Sequence, residues 1–266
     1  MEKKKVLITG ASGLIGGLTI AGLSAKYDFS GLSRRNVEGL PHLQADIADA
    51  EAIKPAFVGV HSVLHLAAAN GEDQVNNWNA TMAITVQGTL NVYEAARLAN
   101  VKRVIHMSSG CSQLAYEWDN ELPYGTLANG PDEEIPTAWR MIEVSDPVRP
   151  DSAYAVGKIF GETLGRYYAD QYGISTIAIR LGAVLPDDRP QIRRHYPGFL
   201  SQSDCLQMID KCLGAPDHLK FEIFNAISEN KYRWRSTEHT KKVLGWQPSG
   251  RSEIYSDVTE IDSIVR

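Results

Sequence analysis

Three side chains stand at spacings that suit proton transfer. Tyr154 and Lys158 lie in Asp151-Ser152-Ala153-Tyr154-Ala155-Val156-Gly157-Lys158. Four positions apart, they share one face of a helix, one turn from each other. An ammonium beside a phenol favours the phenolate and lowers its pKa, so a poor base becomes useful near neutral pH. Ser109 ends Arg103-Val104-Ile105-His106-Met107-Ser108-Ser109, a strand closing in two hydroxyls, and its hydroxyl is placed to hold a substrate oxygen. Gly110 and Cys111 follow it and are assigned with it to substrate contacts.

The elements that must position these groups begin at the N-terminus. Val6 to Ile8 reads as a buried parallel strand. Gly10, Gly13 and Gly16 follow at spacing three, and a helix is expected from near Ser12, with Leu14, Ile15, Leu18, Ala21 and Gly22 recurring along it. Glycines at a strand-to-helix turn let backbone approach a pyrophosphate, and the helix N-terminus offers free N–H groups and partial positive charge. A dinucleotide-binding turn is expected here, against the plainer reading of an ordinary glycine turn. The second strand, Phe29 to Leu32, ends in Ser33-Arg34-Arg35. An acid often stands there to bind the adenosine ribose. A hydroxyl and two guanidinium forks favour the 2′-phosphate of NADP instead, with a solvated basic turn as the bland alternative.

A third strand, His42 to Ala45, ends at Asp46 and Ile47, where Asp46 either faces the adenine or caps the next helix. The fourth strand, Val63 to Leu66, runs into Ala67, Ala68, Ala69 and Asn70, small residues that let a cofactor pass close by. His65 within it reads as a packed histidine rather than a catalytic one. Long helices are expected over 80–99 and 153–171. Between Ser112 and Pro150 the chain is rich in Pro, Gly and acid, and a lid anchored by Trp118 and Trp139 is expected. A sixth strand, Ile174 to Leu181, precedes Gly182. Beyond it Arg189, Arg193, Arg194, His195 and Tyr196 cluster, either as a solvated basic turn or with Arg194 as an anion clamp. A helix over 199–213, a strand over 221–226 and a glycine-capped helix end at Leu244-Gly245-Trp246 complete the chain.

Composition narrows the class. The net charge of -5 and pI near 5.8 give no basic excess for nucleic acid or an anionic membrane. No apolar run approaches the roughly 18 residues of a membrane span, and strand and glycine turn begin at once, without a signal peptide. Cys111, Cys205 and Cys212 have no metal-site spacing and read as reduced thiols of a cytoplasmic protein. The fold expected is α/β, a Rossmann-type doubly wound parallel sheet over 1–182 with the insertion at about 112–150, followed by a small C-terminal substrate lobe over 183–266.

The combination Thr9-Gly10-Ala11-Ser12-Gly13-Leu14-Ile15-Gly16, Asp46-Ile47, His65-Leu66-Ala67-Ala68, Ser108-Ser109 and Tyr154 with Lys158 resembles the extended short-chain dehydrogenases/reductases, the NAD-dependent epimerase/dehydratase family. The resemblance covers the first two-thirds of the chain. It implies a catalytic Ser109, Tyr154 and Lys158, with Lys158 also holding the nicotinamide ribose. It implies a cofactor site of Gly10, Ser12, Gly13, Leu14, Ile15, Gly16, Ser33, Arg34, Arg35, Asp46, Ile47, Leu66, Ala67, Ala68, Tyr154, Lys158 and Gly182. Within the family, Glu162 to Tyr168, Ser201 to Cys205 and Leu244-Gly245-Trp246 resemble the aldose, uronate and sugar-phosphate 1-dehydrogenases. An arginine matching Arg194 meets the substrate carboxylate in the uronate enzymes, and Asn70 would add a bond to a sugar hydroxyl. Departures are Thr85, where the family usually has Asn, and Ser33 in place of the ribose-binding acid.

The resemblance therefore implies an NADP- or NAD-dependent oxidoreductase, needing no metal, that takes an acidic aldose to its lactone as a cytoplasmic homodimer joined through the long helices. Two other functions are weighed. A nucleotide-sugar epimerase or reductase of the same fold usually carries a larger C-terminal lobe than the stretch after Gly182. A redox sensor that binds NADP tends to lose the Tyr or the Lys, both kept here.

Overall fold

A computed structural model describes residues 3–69 and 75–255. It contains a seven-stranded sheet in the order β3-β2-β1-β4-β5-β6-β7: β1 Lys5–Thr9, β2 Asp28–Ser33, β3 His42–Gln44, β4 Ser62–His65, β5 Arg103–Ser109, β6 Ser175–Leu181 and β7 Phe221–Ala226. The ladders from β3 through β5 are parallel, with Thr9 opposite both Leu32 and His65. Strands covered on both faces read as apolar runs, which is why Val6-Leu7-Ile8 and Val104-Ile105 were legible and are fully buried. Chain order reverses between β1 and β4, the kind of switch point where open α/β sheets bind ligands beyond the strands' carboxyl ends.

The chain packs as two compact units. The first comprises 1–108, 152–179 and 212–223; the second comprises 109–151, 180–211 and 224–266.

In the first unit, helix Leu14–Leu23 follows β1, two residues later than the apolar spacing suggested, because Gly13 is still extended and serves as its N-cap. The expected 80–99 helix is three pieces: an α-turn Trp78–Ala80, a π-helical stretch Thr81–Gln87 and an α-helix Gly88–Leu98. Helix Ala153–Tyr172 packs on the π-helical stretch, where a Cβ on Gly157 would stand 2.8 Å from the Thr85 methyl. Wider π turns often mark functional places in a helix. The core joins Leu7, Leu32, Phe57, Val63, Val92, Tyr93, Val104 and Tyr168.

In the second unit, the Pro- and Gly-rich 112–150 stretch is folded. It forms a 3-10 helix Gly110–Trp118, an α-helix Tyr124–Asn129 and a turn Asp132–Glu134. Its own core holds Tyr116, Tyr124, Leu127, Ile142 and Trp234. Of the two tryptophans expected to anchor it, Trp139 donates its indole N–H to Arg233 O at 3.0 Å, whereas the Trp118 indole N–H has no hydrogen-bond partner among the described residues. Lack of periodicity concealed this core because the aromatics that hold it are spread over short turns. Removing one should be costly. Tyr124→Ala should lower unfolding stability by about 3–5 kcal/mol, the range for truncating a large buried aromatic, read as a shifted urea midpoint.

Candidate active site

The glycine turn is the first part of the site. Gly10 has φ +73°, and a Cβ on it would sit 2.9 Å from Ala67 N, so backbone passes backbone directly there. A Cβ on Gly16 would meet Ala11 O at 2.5 Å. The turn is pinned by Gly10 N donating to Leu32 O and Gly13 N to Gly10 O. Gly13 and Leu14 are exposed, and Ser12 and Ile15 half-buried. Beside the turn, Leu66 N donates to Thr9 O and Ala67 N to Thr9 Oγ1, while Leu66, Ala67 and Ala68 are half-buried. A cradle that any side chain would fill, with free helix N–H groups beside it, fits a dinucleotide pyrophosphate.

Ser33, at the end of β2, donates to Arg35 O at 2.8 Å and pairs with His42 Nε2 at 2.9 Å; Arg34 and Arg35 are exposed. Asp46 does not cap the next helix. Asp49 does so, accepting from Glu51 N and Ala52 N, whereas Asp46 accepts from Ala48 N and tightens the turn between. The Ile47 side chain is core, lying over Gly88.

Tyr154 and Lys158 both lie on helix Ala153–Tyr172, capped by Ser152 accepting from Ala155 N. Tyr154 is half-buried. The Lys158 ammonium is 5.5 Å from the centre of its ring and donates to Met107 O at 2.7 Å. Lys158 is only 2% exposed, and burial pulls its pKa down to about 7. Its charged and neutral forms thus stand near balance at neutral pH. His65 and His106 pack behind, ring centres 5.6 Å apart. His65 is bonded through both nitrogens, to Thr9 Oγ1 and Thr89 Oγ1, and burial holds it neutral, as expected of a packed histidine. His106 pairs with Lys158 O, and burial lowers it to about 3. Thr85, in the place of the family's Asn, accepts from Ala69 N through Oγ1 at 3.0 Å.

The second unit holds Ser109, Cys111, Gly182 and Arg194. Ser109 closes β5 and caps the next turn, its Oγ accepting from Cys111 N at 3.2 Å. Burial, with Asp151 adding, pushes the Cys111 thiol up to about 11, so it is a thiol and not a nucleophilic thiolate. Gly182 N donates to Ala226 O. Arg194 Nε meets the Glu117 carboxylate at 3.0 Å. Burial opposes the charge on Arg194, but Glu117 outweighs it and the guanidinium holds its proton more tightly than usual. Burial raises the Glu117 carboxyl against the pull of Arg194 and Arg235. Arg194 is therefore not a solvated turn residue: it meets a buried acid far away in sequence. Asn70 lies outside the described residues.

Sequence reasoning missed Glu117 and Arg235. The signal was a charge set among apolar or aromatic neighbours: Glu117 alone in Leu114-Ala115-Tyr116-Glu117-Trp118, and two arginines alternating with aromatics in Tyr232-Arg233-Trp234-Arg235. Such charges are buried only when partnered.

With this geometry in hand, the chain belongs to the NAD dependent epimerase/dehydratase family, whose model matches residues 6–203. It is similar to the L-arabinose 1-dehydrogenase (NAD(P)(+)) of Haloferax volcanii, 33% identical over 257 residues covering 93% of this chain and 97% of that one. The NAD-dependent glucose-6-phosphate dehydrogenase of the same organism is 30% identical, covering 93% and 94%. Among solved structures, the glucuronic acid dehydrogenase of Chromohalobacter salexigens superposes with a TM-score of 0.81 at 26% identity, covering 99% of this chain and 92% of that one.

The buried lysine makes stability depend on pH. Its folded pKa, about 7, lies below the unfolded value near 10.5. Between these values the unfolded chain binds more protons, so this group's contribution raises stability as pH climbs, by at most about 1.4 kcal/mol per pH unit. Below pH 7 the full cost of its burial is present. The stability difference between wild type and Lys158→Met, from urea titrations at pH 7 to 10, should shrink or reverse in favour of wild type as pH rises. A pH-independent difference would remove the shift.

Proposed function

We propose that this protein is an NAD(P)-dependent oxidoreductase that oxidises the anomeric hydroxyl of an aldose to the lactone. The observation carrying the reading is Tyr154 and Lys158 on one helix face of a unit whose glycine turn leaves no room for side chains. The cofactor residues are those named from the motif: the Gly10–Gly16 turn, Ser33 to Arg35, Asp46-Ile47, Leu66 to Ala68, and Gly182. The bound nicotinamide supplies the hydride acceptor. Tyr154 takes the hydroxyl proton, Lys158 tunes the phenol and holds the nicotinamide ribose, and Ser109 steadies the sugar oxygen. The acidic class of sugar rests on Arg194, a guanidinium in a partly buried setting with its Nε already held by Glu117, which fixes the rest of the fork. NADP is the preferred cofactor, supported by exposed Arg34 and Arg35 in place of an acid. A homodimer is supported by exposed Trp78, Met82, Leu98, Val156, Tyr167 and Tyr172 on the two helical segments of the first unit. A cytoplasmic setting is supported by three unbridged cysteines.

Tyr154→Phe should cut turnover by about 100- to 10,000-fold, the usual share of a general base, with dinucleotide affinity nearly intact by fluorescence titration. Wild-type-like rates on a panel of aldoses, uronates and sugar phosphates would remove Tyr154 from its role. Ser33→Asp with Arg34→Ala should shift the ratio of kcat/KM values towards NAD by about tenfold or more, the scale of one charged hydrogen bond. A wild type already preferring NAD would end that argument. Arg194→Ala should raise KM for an acidic sugar far more than for a neutral one; equal losses on both would leave a neutral-aldose dehydrogenase.

A further inference from the structure

In the first unit the turn that carries Arg34 and Arg35 is braced from the neighbouring strand. β2 pairs with β3 in parallel, with Gly31 opposite His42 and Ser33 opposite Gln44. Ser33 is 8% exposed. Its Oγ donates to Arg35 O at 2.8 Å and pairs with His42 Nε2 at 2.9 Å. A hydroxyl has one hydrogen to give. With that hydrogen on Arg35 O, the ring nitrogen must be the donor, which assigns the imidazole proton to Nε2. Burial lowers the His42 pKa and favours the neutral ring. Gln44 Nε2 donates to Arg34 O at 2.8 Å. Two consecutive carbonyls of the turn are thus held by side chains, and both braces start from β3.

Gly31 makes the longer reach possible. Side chains alternate along a strand, so positions 31 and 33 share one face of β2. A Cβ on Gly31 would stand 2.6 Å from His42 Cδ2. Without one, the imidazole lies against β2 and arrives at Ser33, two residues on. Arg34 and Arg35 themselves are exposed. Ordering a loose segment on binding costs affinity, and a segment fixed beforehand avoids that cost. Ser33 has spent its hydrogen inside the turn, so the two guanidinium groups are the side-chain donors left there for a phosphate.

We propose that His42 and Gln44 are positioning residues for cofactor choice: they hold the Ser33-Arg34-Arg35 turn in the shape that presents its guanidinium groups to the 2′-phosphate of NADP. This rests on the NADP reading and deepens it. That reading names the arginines that meet the phosphate, and the braces on β3 are what hold them.

The test is fluorescence titration of the full chain with NADPH and with NADH, which differ only by the 2′-phosphate. Wild type should bind NADPH more tightly. Gln44→Met and His42→Phe should each lower NADPH affinity by about twofold to tenfold, the range of one neutral hydrogen bond, and leave NADH affinity unchanged. A general loosening of the fold would weaken both cofactors alike. Thermal melts report whether each variant is folded. Gln44 is exposed, so Gln44→Met carries the test if His42→Phe does not fold. In a background of Arg34→Ala with Arg35→Ala, adding Gln44→Met should change nothing, since a positioning residue acts through the groups it positions. Equal losses on both cofactors, an unchanged preference in the folded variants, or a Gln44→Met effect that survives without the arginines overturns the inference and leaves the NADP reading standing. A wild type that binds NADH as tightly as NADPH overturns the NADP reading and the inference with it, and that outcome shows before any variant is made.

Discussion

Backbone must pass backbone with nothing between, and the glycine turn after β1 depends on that. At Gly10 the chain leaves β1 in a left-handed conformation and runs against Ala67, where a Cβ would come within 2.9 Å of the amide nitrogen. At Gly16 the following helix presses on Ala11 O. These approaches draw helix Leu14–Leu23 down onto the strand ends and turn its first N–H groups towards the switch point of the sheet. Thr9 completes the arrangement from within β1, since its hydroxyl accepts from Ala67 N and pairs with His65. One hydroxyl therefore ties the glycine turn to the buried histidines that pack behind Lys158.

The protein buries cations in two ways, and the difference bears on function. Lys158 is desolvated with a carbonyl, Met107 O, as its acceptor, and responds by giving up affinity for its proton. An ammonium does this readily. A guanidinium keeps its proton under the same burial, and two arginines of the second unit meet acceptors on the protein: Arg194 meets Glu117 and Arg180 donates to Val144 O. A lysine suits a place where charge must be adjustable, and an arginine a place where charge must be constant. The proposed roles follow that division, proton chemistry beside Tyr154 and anion recognition around Arg194.

Local chemistry was legible wherever it rested on short-range pattern. The apolar runs of β1, β4, β5 and β6, the Tyr154–Lys158 spacing, the Gly245 helix end with φ +60° and the packed character of His65 could all be read from neighbours in the chain. Boundaries moved by one to three residues, as at Gly13 and at the helix expected from 199, which runs Gln202–Leu213. The π-helical stretch Thr81–Gln87 had no such mark, because Thr81 and Thr85 look like ordinary helix positions until Gly157 is brought against them. The 112–150 stretch was harder still. Its aromatic core draws on Trp234, far along the chain, and no window of the sequence contains both halves.

By itself the sequence determined the fold class, the glycine turn and the placing of Tyr154 and Lys158 one turn apart on a helix, since each follows from periodicity or spacing within one element and its adjoining turn. Tertiary structure alone decided which charges are buried and what they face. Glu117, Arg194 and Arg235 are far apart in the chain, and only folding sets one guanidinium 3.0 Å from a carboxylate and another against the backbone of Gly110. The physical reason is that the worth of a charge depends on its dielectric surroundings and its partners, and both are properties of the packed chain.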